Sequence, residues 1–211
     1  MHEKLHIVFT NAAIHAKLLL MTKAQETKLK KQGFFKLADA EKIGVSQPML
    51  SRLVKQGQIT RVGRGIYIHP KAHVATESAG FQIAQAKFGK TAAIGGLSAL
   101  FHYNLAEQVP TETWMVVPPK IWTKEKGYRL LRTKSGTEIG VESMDGFRIV
   151  SVERALIEGL KFSTKIGEVT VLRAVRAALK SKQTNMSKLR KMATALKLDA
   201  ILARHIEAIT L

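Results

Sequence analysis

Between residues 22 and 68 glycine cuts the chain into pieces short enough for little more than compact helices and a tight hairpin. Thr22 is placed to cap a helix that runs through Lys31 and stops at Gln32-Gly33. Phe34, Phe35, Leu37, Ala38 and Ile43 supply the apolar positions of a second short helix, stopped by Gly44. Ser46 is a good N-cap, Pro48 falls in the first turn that follows, and Gly57 comes after Gln56 as the C′ glycine. Between them Met49, Leu50, Leu53 and Val54 repeat at three- and four-residue spacing and form an inward stripe. Ile59 to Val62 and Ile66 to Ile68 are β-prone runs on either side of Gly63-Arg64-Gly65, which reads as a hairpin. Three short helices followed by a hairpin is the order of a winged helix-turn-helix.

If the stripe faces a core, the other side of the third helix carries Gln47, Ser51 and Lys55 at four-residue spacing, flanked by Pro48 and Arg52. Those side chains suit a DNA groove. Arg52 can donate two parallel hydrogen bonds to guanine and Gln47 can pair with the edge of adenine. Ser51 can bond a base edge or a phosphate, and Lys55 neutralises backbone charge. Ser46 and the open N–H groups of the first turn favour a phosphate at the helix start. Arg61 and Arg64 stand on or beside the hairpin tip, where a wing lies over backbone or minor groove, and Lys36 is placed for an adjacent phosphate. The bland alternative is an amphipathic surface helix whose polar side is merely solvated, with glycines that only serve the turn.

The charge balance favours the first reading. The 211 residues hold 34 Lys and Arg against 16 Asp and Glu, a net +18. Residues 22–75 carry eleven basic and three acidic side chains, residues 76–168 twelve and ten, and residues 169–211 nine and two. The surplus therefore sits in two blocks, one toward each end, which points to a polyanionic partner.

Residues 1–21 mix apolar and polar side chains without the unbroken run of a signal peptide, so the expectation is a short leader helix, with Met1 or Met21 as the start. The winged helix-turn-helix is expected over 22–70, a linker over 71–76, and a second domain over 77–211. That second domain reads as α+β. Helices are expected around Glu77 to Phe88 and Leu97 to Tyr103, and strands at Trp114 to Val117, Tyr128 to Arg132, Thr137 to Glu142 and Phe147 to Val150. Helices over Val152 to Leu160, Glu168 to Leu179 and Ser187 to Leu211 close the chain, with Val169, Leu172, Val175 and Leu179 as one apolar face. Trp114 and Trp122, with Phe101 and Tyr103, read as core. The fold class is α+β: an N-terminal winged helix-turn-helix, then a mixed α+β domain ending in helices.

Gly44-Val-Ser46, Leu50-Ser-Arg-Leu-Val54, Gly57 and Arg61-Val-Gly-Arg-Gly-Ile-Tyr67 resemble the winged-helix segment of the AbiEi family of type IV antitoxins. The resemblance continues through Gly96-Leu-Ser-Ala-Leu100, Trp114-Met-Val-Val-Pro118, Ser151-Val-Glu-Arg-Ala-Leu156 and the closing helices as far as His205-Ile-Glu-Ala208. It implies a transcriptional repressor that binds inverted repeats in the promoter of its own operon. It also implies a C-terminal domain that counters a toxin of the nucleotidyltransferase class, without a stable complex being required. The repressor role would fall on Gln47, Ser51, Arg52, Lys55 and Arg64. The basic helices holding Arg173, Arg176, Lys180, Lys182, Lys188, Arg190 and Lys191 would form the neutralising surface. A free-standing regulator, a module that neutralises a toxin by direct contact, and an RNA-binding protein stay open beside this reading.

Other chemistries find little support. Cysteine is absent, which excludes disulfides, thiolate metal sites and thiol catalysis. Lys87-Phe-Gly-Lys-Thr91 resembles the end of a phosphate-binding loop, but Ala84 stands where that loop needs glycine. Gly95-Gly-Leu-Ser98 resembles the opening of a nucleotidyltransferase, yet no carboxylate lies between Lys90 and Glu107 to hold magnesium. His69 and His73, and His2 and His6, read as solvated histidines rather than metal ligands. The expectation is a cytoplasmic, non-enzymatic protein with no cofactor, no metal and no membrane span.

Overall fold

The computed structural model describes residues 21–136 and 138–210. The expected leader helix lies outside these residues. The chain divides into two compact units, one ending at Ala79 and the other beginning at Gly80.

The first unit opens with α1 (Lys23–Gln32). Thr22 Oγ1 accepts the Gln25 N–H at 3.2 Å while Gln25 Oε1 accepts the Thr22 N–H at 2.9 Å, a reciprocal cap. Gln25 then uses its amide nitrogen on the carbonyls of Ile43 and Gly44, both at 3.1 Å, and so ties the helix start to a distant turn. Phe34 and Phe35 do not enter the second helix. They form a two-residue strand, β1, paired antiparallel with Ile68 and Tyr67. Adjacent side chains of a strand point to opposite faces, and here Phe35 is fully buried with its ring stacked on Tyr67 at 6.0 Å. The helix proper, α2 (Leu37–Glu41), begins where the Asp39 carboxylate accepts the Lys36 N–H at 3.2 Å.

Next come α3 (Gln47–Lys55), β2 (Thr60–Gly63) and β3 (Ile66–Ile68), with sheet order β1-β3-β2. Leu29, Phe35, Ala40, Val45, Met49, Leu50, Leu53 and Ile59 make the core. This is the winged helix-turn-helix.

The second unit contains α4 (Ala79–Phe88), β4 (Ala93–Ile94), α5 (Gly96–His102), β5 (Thr113–Val117), β6 (Tyr128–Arg132), β7 (Val141–Met144) and β8 (Phe147–Val150). The strands form one mixed sheet in the order β6-β5-β4-β8-β7. β4 is central although it is two residues long and lay hidden in Ala92-Ala-Ile94. β7 starts only at Val141. Gly140 turns left-handed (φ 56°), which breaks the extended backbone there, although its carbonyl still accepts the Ser151 N–H at 2.8 Å.

Helices α6 (Val152–Lys161), α7 (Ser163–Ile166), α8 (Glu168–Lys180), α9 (Met186–Leu196) and α10 (Asp199–Thr210) complete the unit. Every residue of α6 from Arg154 to Leu160 is buried. The stripe expected on α8 is rotated. Val171, Ala174, Val175 and Ala178 are buried, whereas Val169 is 62% exposed. A Cβ at Gly159 would come within 3.2 Å of Val171, so this close helix contact selects the small-residue face of α8 over its leucine face. Trp114 is buried as expected, but Trp122 is 64% exposed and Phe101 is partly exposed. The sequence placed those two in the core; solvent reaches them instead. No helix of the described residues is long and apolar enough to cross a membrane.

Candidate nucleic-acid interface

The turn before α3 sets the direction of that helix. Gly44 is left-handed (φ 81°), and a Cβ there would sit 3.2 Å from the Gln25 amide nitrogen that bonds the same turn. Only glycine meets both demands without strain. Met49, Leu50 and Leu53 then anchor α3 in the core, with Val54 half-buried against it. The opposite face presents Gln47, Pro48, Ser51 and Lys55 to solvent.

Ser46 has the extended backbone of an N-cap, yet its hydroxyl makes no capping bond. Pro48 removes one donor from the first turn, so the helix start offers fewer N–H groups than an ordinary one. Its unengaged serine hydroxyl remains beside them.

Arg52 and Lys36 differ from their neighbours. Both are half-buried, and each is already engaged in a polar or electrostatic contact within the protein. Arg61 is exposed, but its Nε donates to the Gly63 carbonyl at 3.3 Å. That bond spans the register shift between Arg61 and Gly63, so this arginine braces the wing. Arg64 is exposed beside Gly65, whose φ of 73° makes the reversal. Ser46, Gln47, Pro48, Ser51 and Lys55 on the helix and Arg61 and Arg64 on the wing thus face outward.

His69 follows the wing and is buried rather than solvated. Its Nδ1 accepts the Lys71 N–H at 3.0 Å and its Nε2 lies 3.6 Å from a Glu26 carboxylate oxygen. Burial holds its pKa below the usual histidine value, helped by Lys30 and opposed by Glu26. The described residues contain no group of three or more His, Asp or Glu side chains arranged to hold a metal.

In the second unit Arg173, Arg176 and Lys180 stand exposed on α8, Lys182 in the turn after it, and Lys188, Arg190 and Lys191 on α9. Arg176 is committed to structure, because its guanidinium donates to the Ala208 carbonyl near the end of α10. Arg173 lines an open cleft of about 510 Å³ with Asn104, Glu107, Gln108 and Thr170.

Residues 26–69 match the family model described as transcriptional regulator, AbiEi antitoxin. The match runs from within α1 to the end of the wing and covers the winged-helix motifs of the resemblance, not those of residues 96–208. No curated protein matches the chain. Among solved structures, the crystal structure of RV2827C protein from Mycobacterium tuberculosis is similar in fold. It has a TM-score of 0.54 and 11% sequence identity, and the match covers 84% of this chain and 76% of that one. The likeness extends the shared architecture well past the winged helix, and at that identity it concerns fold alone.

One group that sequence reasoning missed lies at the heart of the second unit. Arg154 is fully buried, 3.1 Å from Glu158 one turn along α6, and donates to the carbonyls of Gly136 at 2.8 Å and Ile139 at 2.5 Å. Its Nε and the second Glu158 oxygen have no partner. The signal was available as Arg154 and Glu158 at i, i+4 around the apolar run Ala155 to Ile157.

Proposed function

We propose that this protein is a DNA-binding repressor of the AbiEi antitoxin type, which binds inverted repeats in its own promoter and counters a nucleotidyltransferase toxin. The observation that carries the reading is the solvent-facing row of Gln47, Ser51 and Lys55 on a core-anchored helix, in a unit that also carries the Arg64 wing. Gln47 reads a base edge, Ser51 a base or phosphate, and Lys55 and Arg64 hold the backbone on either side. Arg52, Lys36 and Arg61, each also held by a contact within the protein, flank this surface as further DNA contacts. The first-turn geometry at Ser46 and Pro48 leaves a hydroxyl for phosphate.

The neutralising role falls on the second unit, with Lys188, Arg190 and Lys191 as an exposed basic cluster. Their outward placement also suits direct contact with an acidic toxin surface, the second reading. Charge reversal at these three positions tests both roles together. The variant is expected to repress a reporter driven by the native promoter as well as the parent chain does, yet to lose protection against the toxin. Full protection by the reversed variant would remove this surface from the account. Loss of protection together with a lost toxin pull-down would favour direct contact.

A further inference from the structure

The middle of the chain is nearly neutral only on average. Residues 118–134 hold six basic side chains and one acidic one, while the remainder of 76–168 is acidic on balance. Three lie on the loop between β5 and β6, two on the edge strand that follows it, and Lys134 just beyond that strand. From Lys120 to Lys124 the chain alternates. Ile121 packs against the core and Thr123 is half-buried, whereas Lys120, Trp122, Lys124 and Lys126 face solvent. Arg132 Nε donates to the Ile121 carbonyl at 3.1 Å and the Ile121 N–H bonds the Pro118 carbonyl at 3.1 Å, so the loop is held at the residue beside the tryptophan.

The two carboxylates nearest in sequence are already neutralised. Glu125 is paired with Lys87, and Glu112 accepts from Arg129 at 2.9 Å. Arg129 also lies over the buried Trp114 ring at 5.0 Å. Trp122 has no ring or cation contact among the described residues and is 64% exposed.

We infer that residues 118–127 form a binding site for single-stranded nucleic acid, with Trp122 as a stacking platform for one base and Lys120, Lys124 and Lys126 as phosphate contacts. Lys120 sits in the turn that enters the loop, Trp122 and Lys124 in the irregular stretch after it and Lys126 in the turn that leaves it, so the exposed indole stands between cations along the chain. That is the arrangement a flexible polyanion with aromatic bases engages, the charge tracking its backbone and the ring taking any base without sequence preference. A duplex hides its base faces in the stack and so cannot use the indole. This site belongs to the second unit and does not rest on the winged helix reading DNA.

The test uses the full chain and mixed-sequence 12-nucleotide RNA and DNA strands, with the matching duplexes as controls. Trp122 is expected to report directly, because single strands should quench its emission while the buried Trp114 stays silent. Trp122→Ala is expected to abolish most of the quench and weaken single-strand binding about tenfold. Trp122→Phe should retain most of the affinity, and duplex binding should be the same in all three proteins. Lys120→Gln with Lys124→Gln should reduce the salt slope for single strands by about 1.4. Equal single-strand affinity of the parent chain and Trp122→Ala would overturn the proposal, as would an equal loss on duplex. So would a Trp122-dependent response to phosphatidylserine vesicles or polyglutamate with none to oligonucleotide, which would make the loop a membrane or protein contact.

Discussion

His69 is caught between opposing demands. Burial disfavours its charged form, and Lys30 and Lys71 add to that, while Glu26 pulls the other way without prevailing. Its pKa in the folded chain is thus lowered, and the unfolded chain takes up the proton more readily. Its contribution to stability is complete above the ordinary histidine value and is lost as pH falls through the lowered one. Glu26, held below its usual range chiefly by its hydrogen bond to Lys30, adds a loss of the same sign at more acidic pH. The thermal midpoint of the winged-helix unit is expected to drop between pH 7.5 and 5.5, and His69→Gln should flatten that drop. An unchanged slope in the variant would place the sensitivity at another group. Single residues are also where sequence reading has least reach. The alternation from Lys120 to Lys124 could be read along the chain, but whether Ile121 or Trp122 entered the core depended on the neighbouring sheet. Arg52 and Arg61 have the chemistry of base and phosphate readers, yet contacts inside the fold engage both.

Elements were legible wherever local chemistry decides them. The Thr22 cap, Gly33, the Gly44 turn and the hairpin at Gly63 to Gly65 all stand where residue type placed them. Those that depended on distant partners were not. β1 exists because Ile68 and Tyr67 arrive to pair with it, and β4 because β5 and β8 flank it. The buried face of α8 follows from the missing side chain at Gly159. Helix α6 carries the strongest expectation at this scale. Arg154 and Glu158 are almost wholly removed from water, so each depends on the other's charge, and Arg154 also on the two carbonyls to which it donates. Arg154→Met alone should cost about 3–5 kcal/mol by leaving the carboxylate buried without its cation. Arg154→Met with Glu158→Leu should recover most of that loss, as measured by urea unfolding of the second unit. A single variant as stable as the parent chain would mean that water, not the guanidinium, satisfies Glu158.

Across the whole molecule, positive charge is the continuous theme, and its division among sites is what gives it meaning. The winged-helix unit puts its surplus beside a groove-sized helix, and α8 and α9 carry theirs on exposed faces, one arginine apart. The loop of Trp122 pairs its own surplus with an aromatic ring. A surface used only for solubility would need none of these placements. The central claim is that the outer face of α3 reads sequence rather than charge alone. It is tested most directly by fluorescence anisotropy of the labelled native promoter duplex against a scrambled duplex at fixed salt, for the parent chain and Gln47→Ala. The parent is expected to prefer the promoter, and Gln47→Ala to lose about 1–3 kcal/mol on the promoter with little change on the scrambled duplex. Equal affinity of the parent for both duplexes, or an equal loss on both in the variant, would contradict it.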